Sequence, residues 1–436
     1  MDFFQIQYLI NKYFFLFTTF NILTIFCIIY FYKNYKKIYY PGYFLIITSS
    51  LYTFFFKIIP NIKSSGWDRN AVCGWINLAN NESQYNLYSV QSQNVASTFS
   101  EIPEFSAYYH PSLIFKFEIL CELSPILFNS ISLILVLFIS ITVGHYLENV
   151  NLISSLVLVS ISFNTVYWLI VTGQFFQLEL VTFTLGMLLL SKKYYKFSIL
   201  LFFIFGIQKI YFLIIAFFLA IKYFRFKGFL SFTSMLAIIN LIPIKILKDY
   251  FNFWFSDEGY LFGSRLGRHS FFNEKFGLYN SSLMTLFKDI FSFFNFNISN
   301  MALLMFYGVL TGILYLVFRR NTKFIKNYDK DFLNILFFIL VFPLMKPYVY
   351  IYFSIVVVFL LNSLRNKHFE IFITFITSIG TIGILILEPY MFLTTSELSK
   401  NLIVQYKYFQ YSNFYISWTV FLLLVIFFMK EQSEIE

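Results

Sequence analysis

Apolar runs long enough to cross a bilayer recur along the whole 436-residue chain, and this feature restricts the possible folds more than any other. A helix needs roughly 20 apolar residues to cross about 30 Å of hydrocarbon. Hydrophobic residues make up 58% of the chain and charged residues only 12%, so polar residues are found mainly in the loops. We therefore predict an all-α, multi-pass membrane protein with one membrane-embedded domain, residues 1–436.

The apolar runs, bounded by polar residues, predict about thirteen membrane-spanning helices. Their expected ranges are 14–32, 43–59, 126–145, 152–171, 176–190, 197–208, 210–222, 229–247, 301–318, 332–345, 348–363, 371–388 and 413–429. Segments 197–208 and 210–222 are short and form either a tight hairpin or one broken element. In HPSLIFKFEILCEL, residues 110–123, charged residues interrupt apolar ones at helical spacing, which indicates a helix lying along the outer membrane surface.

The positions of lysine and arginine in the short loops predict the orientation of the helices, because positively charged loops stay in the cytoplasm. The basic loops that fall on one side are KNYKK (33–37), KKYYK (192–196), KYFRFK (222–227) and RRNTKFIKNYDK (319–330). This arrangement and the lipid headgroups account for the net charge of +10, so no nucleic-acid partner is expected. The long connections 60–112, 248–300 and 389–412 then lie outside, which directs the search for a functional site to the outer face.

The cysteines and the missing motifs limit the possible chemistry. Cys27, Cys73 and Cys121 do not have the spacing of metal ligands. Cys73 and Cys121 would share the outer side and could form a disulfide, although ordinary buried thiols are favoured. The sequence contains no Gly-rich phosphate loop, HExxH motif or nucleophile elbow, so we expect neither a metal nor a cofactor.

Asp68 is the first candidate catalytic residue. It lies in GWDRN, residues 66–70, shortly after the predicted helix 43–59, and is therefore held near the membrane surface. A partly shielded carboxylate there is suited to accept the proton of a hydroxyl group. The alternative is that Asp68 caps the helix that follows it, with Arg69 as a surface partner. Arg69 is itself a candidate for binding a substrate.

Polar residues at the outer ends of later helices are candidates for binding a substrate. Gln174, Gln177 and Glu179 lie at the start of helix 176–190, where they either contact a substrate or join helices by hydrogen bonds. Lys209 and Lys346 lie in outer turns, where cations can bind a lipid phosphate or simply extend to the headgroups.

Two further candidates lie in the outer loops. His110, in YYHP, closes the first loop, and a lone histidine is more often structural than catalytic. Arg265 and Arg268, in GSRLGRHS, either bind an anionic substrate or contact anionic headgroups.

The order of these features resembles the GT-C glycosyltransferases, closest to the branch that includes bacterial polyprenyl-phosphate-mannose-dependent alpha-mannosyltransferases. The likeness covers about residues 40–225: an outer-loop Asp, the run AVCGWINLANNESQYNLYS, then YYHP, GQ and GxxK, with a weaker match in FPLMKPYVYIY. The resemblance implies a GT-C-type helical bundle, Asp68 as general base, and a donor pocket to which Gln174 and Lys209 contribute. It also places Lys346 at the lipid phosphate and adds Tyr350 to the substrate-binding residues.

The expected activity is transfer of a sugar, such as mannose or another hexose, from a polyprenyl-phosphate donor to a glycolipid or glycan acceptor. By resemblance, the protein lies in the bacterial cytoplasmic membrane with its active site facing the periplasm. Two alternatives remain: a polysaccharide polymerase or ligase that uses a lipid-pyrophosphate-linked oligosaccharide, and a non-catalytic lipid or sugar transporter. A transporter predicts internal symmetry and ionisable groups at mid-bilayer, and the sequence has neither.

Overall fold

A computed structural model describes residues 54–81, 114–146, 172–209, 212–241, 282–296, 300–322, 327–342, 349–363 and 414–430, with isolated positions between these ranges. Every regular element among these residues is a helix, which confirms the predicted all-α class. The chain divides into two compact units. The first unit comprises residues 55–146 and 166–273, and the second comprises residues 1–54, 147–165 and 274–436.

Near the start of the first unit, a π-helical turn, Phe54–Ile58, continues into the short helix Ile59–Asn61. Six longer helices follow within the described residues. They are α1 (Trp67–Asn81), α2 (Ile114–Glu122), α3 (Pro125–Tyr146), α4 (Gln177–Ser191), α5 (Tyr195–Gln208) and α6 (Leu213–Leu241).

Helices α4 and α5 form an antiparallel hairpin through the turn at residues 192–194. Ser198 donates a hydrogen bond to the carbonyl of Gly186 at 2.8 Å, which joins the two helices near this turn. Nearer the other end of α5, the rings of Phe183 and Phe205 pack with their centroids 4.9 Å apart. The start of α4 and the end of α5 therefore lie side by side.

Element α6 consists of two helical arms, because the backbone at Arg225 is not helical and has a positive φ of 52°. The ring centroids of Phe217 and Phe232 are 5.2 Å apart, whereas a straight helix would separate residues at this spacing by about 22 Å. Gly228 lies against the carbonyl of Ala220, and a side chain at position 228 would overlap it. The two arms of α6 thus form a second hairpin.

The first unit has two chemically different ends. The basic end consists of the turns 192–196 and 222–227, which are adjacent because the rings of Tyr195 and Tyr223 stack at 3.7 Å. The polar end consists of residues 64–69, 116–123, 174–179 and 208–209, which are connected by the hydrogen bonds and ion pairs described below. Helices α4 and α5 run between these ends.

The second unit contains five described helices: α7 (Leu283–Phe293), α8 (Asn300–Asn321), α9 (Asn327–Leu340), α10 (Tyr350–Asn362) and α11 (Phe414–Lys430). Aromatic rings pack these helices together. Phe337 of α9 stacks on Phe318 of α8 at 5.3 Å and contacts Phe421 of α11 at 6.0 Å. Phe332 of α9 contacts Phe359 of α10 at 5.4 Å.

Several predicted helices have counterparts in the structure. The expected ranges 126–145, 176–190, 197–208, 301–318, 348–363 and 413–429 each match a helix within a few residues. The ambiguous pair 197–208 and 210–222 is a tight hairpin that turns at Lys209. The range 332–345 was wrong by about one turn, since α9 spans residues 327–340 and buries Asp329 and Asp331 near its start.

Two of the long connections also contain helices that the apolar runs did not predict. Helix α1 lies in the connection 60–112, and α7 lies in the connection 248–300. Predicted helices 14–32, 152–171 and 371–388, and the connection 389–412, lie wholly or largely outside the described residues. Among the described helices, residues 125–146 and 302–321 form two that are long and apolar enough to cross a membrane.

Candidate functional site

Two glycines allow the loop before α1 to pack closely against the segment before α4. Gly66 and Gly173 both have a positive φ of 71°, a conformation that other residues rarely adopt. A side chain on Gly173 would lie 2.7 Å from Cβ of Arg69, and one on Gly66 would overlap the backbone of Thr172. Close backbone packing at this crossing brings residues 64–69 and 172–174 together.

Asp68 is the second residue of α1, and its side chain is half-buried at this crossing. Its carboxylate accepts a hydrogen bond from the side-chain amide of Gln174. The two residues are 106 positions apart in the sequence, and both were predicted as site residues. Asp68 therefore makes a contact between two separate segments, which a role limited to capping its own helix does not explain.

Arg69 joins α1 to the end of α2. Its guanidinium donates hydrogen bonds to the backbone carbonyls of Cys121, at 3.2 Å, and Leu123. A disulfide between Cys73 and Cys121 joins the same two helices, so the expectation of free buried thiols was wrong for this pair. Arg69 was predicted to bind substrate, and in the structure it is buried and holds the position of α2.

Glu179 lies between two lysines at the polar end. Its Oε1 is 3.5 Å from Nζ of Lys116, and its Oε2 is 3.9 Å from Nζ of Lys209. All three side chains are at least nine-tenths buried. The carboxylate therefore faces one ammonium group with each of its oxygens, and the three charges form a single cluster, the Lys–Glu–Lys cluster.

Lys116 is the most firmly held cation of this cluster. Its Nζ donates hydrogen bonds to the backbone carbonyl of Phe175 at 2.9 Å and to Oε1 of Gln208 at 3.3 Å. Burial lowers the pKa of Lys116 to about 8, because the loss of hydration outweighs the attraction of Glu179, and the positive charge of Lys209 opposes protonation further. Lys116 is therefore mostly protonated at neutral pH and becomes neutral in mild alkali.

The Asp68 contact and the Lys–Glu–Lys cluster belong to the same short segment of chain. Gln174, which binds Asp68, is followed directly by Phe175, whose carbonyl binds Lys116. Glu179 follows four residues after Phe175, in the first turn of α4. The carboxylate of Asp68 and the two ammonium groups are thus all positioned by residues 174–179.

The neighbouring polar residues hold this segment in place. Gln177 donates a hydrogen bond to Ser132 of α3 at 2.6 Å, which is the interhelical contact that the sequence offered as its alternative role. Asn129, also on α3, donates to the carbonyls of Ile62 and Ser64, at 2.9 and 2.8 Å, and fixes the loop before Gly66. The helix most suited to span a membrane therefore anchors both sides of the site.

The structure places the predicted site residues in three groups. Asp68, Gln174 and Lys209 come together at the polar end, with Arg69 in a supporting position. Lys209 is buried and paired, so it does not extend to the headgroups in the manner of a surface lysine. Tyr350 is a buried residue at the start of α10 in the second unit. The predictions for His110, Arg265, Arg268 and Lys346 concern residues outside those that the structure describes.

Lys116 is the site residue that the sequence analysis did not select. In the sequence it is one of the charges that interrupt the apolar residues of a surface helix, FKFE, whereas its side chain is directed into the cluster with Glu179. A buried carboxylate at a predicted membrane helix requires a partner, and this requirement was the signal that could have identified a second lysine.

Compared with models of protein families, with curated proteins and with solved structures, the chain gives no match.

Proposed function

We propose that this protein is an integral-membrane glycosyltransferase of the GT-C type. It transfers a hexose, such as mannose, from a polyprenyl-phosphate donor to a glycolipid or glycan acceptor. The reaction takes place on the periplasmic face of a bacterial cytoplasmic membrane, in a bundle of about thirteen spanning helices. The observation that carries the proposal is the polar end of the first unit, where residues 174–179 connect the carboxylate of Asp68 to two buried lysines.

The polar end contains the groups that such a transfer needs. The acceptor hydroxyl oxygen attacks the anomeric carbon of the sugar while the bond between that carbon and the phosphate oxygen breaks. The hydroxyl proton moves to the carboxylate of Asp68, and the bonding electron pair leaves with the polyprenyl phosphate. A phosphate is a good leaving group, so the protein has to supply a base, alignment of the reactants and positive charge at the departing oxygen.

Each of these roles matches a described side chain. The half-buried Asp68 has its carboxylate held by the amide of Gln174, which leaves the base in a defined orientation. Lys209 and Lys116 supply two positive charges in a poorly hydrated environment, where they interact more strongly with a phosphate than they would in water. Lys116 extends the set of cations that the sequence assigned to the phosphate.

Two independent features support an outward-facing site. The basic turns 192–196 and 222–227 lie at the end of α4 and α5 away from the site, and the positive-inside rule assigns such turns to the cytoplasm. The disulfide between Cys73 and Cys121 lies at the polar end, and disulfides persist in oxidising compartments such as the periplasm. Both features give the same orientation.

The experiment compares two lysines at opposite ends of α5. Lys209→Met removes a buried site cation, whereas Lys196→Met removes an exposed lysine of the basic turn. Each variant is purified in lipid nanodiscs and supplied with polyprenyl-phosphate-linked mannose or glucose and a glycolipid acceptor extract. We expect K209M to lose transfer by at least about tenfold, since removing one charged partner typically costs more than 1.4 kcal/mol. K196M should retain it.

The matched control separates function from folding. Both variants are first checked for monodisperse elution and for thermal stability, and K209R is included because it keeps the charge. Equal transfer by K209M and wild type would contradict the role of Lys209. Wild-type protein that used only a lipid-pyrophosphate-linked oligosaccharide would belong to the polymerase or ligase class instead.

A further inference from the structure

The position of Glu179 is unexpected for a site that binds phosphate. Its carboxylate lies between the two ammonium groups that the proposed function assigns to the lipid phosphate. A negative charge beside an anion-binding site weakens the binding of every anion, so affinity alone does not explain why an acid is there. A role in discriminating between anions of different charge does explain why Glu179 lies between the two lysines.

The donor and the product of the proposed reaction differ in charge at the phosphate. The donor is a phosphodiester, which carries one negative charge. The product, polyprenyl phosphate, is a phosphomonoester whose second pKa is about 6, so it carries nearly two negative charges at pH 7. Repulsion by one fixed carboxylate is therefore about twice as large for the product as for the donor.

We propose that Glu179 weakens binding of the phosphomonoester dianion more than binding of the phosphodiester monoanion, so that the site favours the dianion less than the two lysines alone would. The donor then binds through Lys116 and Lys209, while the spent lipid phosphate is released more readily after transfer. The inference rests on the proposed function, because it assumes that these two lysines hold a lipid phosphate.

The other charged groups around the cluster are consistent with this role. Asp68 and Arg69 on α1 contribute one charge of each sign, so they largely offset one another for a ligand at the lysines. Asp68 is bound by Gln174, and Arg69 by backbone carbonyls at the end of α2. Glu179 is the carboxylate whose two oxygens face the two ammonium groups, so replacing it changes the charge seen by the ligand most directly.

The expected effect follows from Coulomb's law. One unit charge about 5 Å from another, at an effective dielectric constant of about 20, changes a binding constant on the order of a hundredfold. Hydration at the membrane surface reduces this value, so we expect Glu179→Gln to change the preference between the two ligands by at least about tenfold.

The experiment measures binding of two lipids that share one prenyl chain and differ by one methyl group and by the charge of the phosphate. Farnesyl phosphate is the monoester and farnesyl methyl phosphate is the diester. Their dissociation constants are measured at pH 7.0 by calorimetry on full-length protein in nanodiscs, for wild type, Glu179→Gln and Glu122→Gln. Glu122 is exposed at the end of α2, so E122Q also removes one carboxylate but leaves the cluster intact.

A second arm of the experiment needs no variant. At pH 5.0 the monoester becomes largely monoanionic, because its second pKa is about 6. Lys116, with a pKa of about 8, stays protonated at both pH values. The cluster has a net charge of +1, so acidification should lower the affinity for the monoester relative to the diester by about tenfold in wild type, whereas two lysines without an opposing carboxylate would give about a hundredfold. This arm remains informative even if E179Q does not fold.

The outcomes separate the inference from the proposed function. The inference predicts that wild type and E122Q give the same ratio of the two dissociation constants at pH 7.0, and that E179Q shifts this ratio at least about tenfold towards the monoester. An unchanged ratio in E179Q, or a wild-type ratio that changes about a hundredfold with pH, would overturn the role of Glu179 and leave the glycosyltransferase proposal standing. Failure of wild type to bind either lipid would overturn both.

Discussion

The disulfide between Cys73 and Cys121 should be a major source of stability for the first unit, and its removal is a sharp test of the fold. The two cysteines are 48 residues apart in the sequence. In the chain-entropy model, closing a loop of this length stabilises the folded state by about 4 kcal/mol. The bond connects α1, which carries Asp68, to α2, which carries Lys116, so its loss should affect both parts of the site.

Other contacts at the same place limit the effect. Arg69 donates hydrogen bonds to the carbonyls of Cys121 and Leu123, and hydrogen bonds from a charged donor contribute about 1.5–3 kcal/mol each. Lys116 also holds α2 against Phe175 and Gln208. We therefore expect Cys73→Ser/Cys121→Ser to fold, with a lower melting temperature and a loosened α2.

The assay combines two measurements on protein in nanodiscs. Thermal unfolding followed by size-exclusion chromatography reports the stability, and hydrogen exchange of residues 114–122 reports the opening of α2. Cys27→Ser is the matched control, since pairing of Cys73 with Cys121 leaves the third cysteine of the chain without an intramolecular cysteine partner.

Two results would refute this reasoning. The first is that the double variant has the same melting temperature and the same hydrogen exchange in α2 as wild type, since the disulfide would then contribute nothing to the stability. The second is modification of Cys73 and Cys121 by a thiol reagent in denatured, unreduced protein, since the disulfide would then be absent.

Two further predictions concern the site itself. Donor binding should weaken as the pH rises through about 8, because Lys116 then loses the positive charge that attracts the phosphate. Binding titrations from pH 6 to 10 should show this loss in wild type but not in Lys116→Arg. Parallel curves for the two proteins would contradict the role of Lys116. Gly173→Ala should lower both stability and activity, because position 173 has a positive φ of 71° and an added methyl group would meet Arg69. Gly312→Ala is the control, because its added methyl group has open space around it. The left-handed conformation alone costs roughly 1–2 kcal/mol for alanine, and equal melting temperatures for the two alanine variants would show that the crossing tolerates a side chain.

The sequence predicted most of the helices among the described residues because apolar runs and helix length are local properties. The range 176–190 differs from α4 by one residue at each end, and the hairpin around Lys209 follows from two short apolar runs separated by a polar pair. The start of α9 was missed because Asp329 and Asp331 look like loop residues in the sequence, whereas the fold buries them in the first turns of a helix.

The partners of the site residues were harder to predict, because they depend on tertiary packing. Asp68 and Gln174 were each selected from the sequence, but their contact spans 106 residues and depends on two glycines with a positive φ. Lys116 was missed because a charge on a surface helix normally points to solvent. Its ion pair with Glu179 joins residues on two helices that no local pattern connects.

The most direct test of the central claim is turnover by Asp68→Asn. The substitution keeps the size of the side chain and an oxygen that can accept the hydrogen bond from Gln174, but it removes the base. The account predicts that D68N binds the polyprenyl-phosphate donor as wild type does and transfers sugar about 10²- to 10⁴-fold more slowly, the usual contribution of a general base. Transfer by D68N within twofold of the wild-type rate, with the donor bound normally, would contradict it.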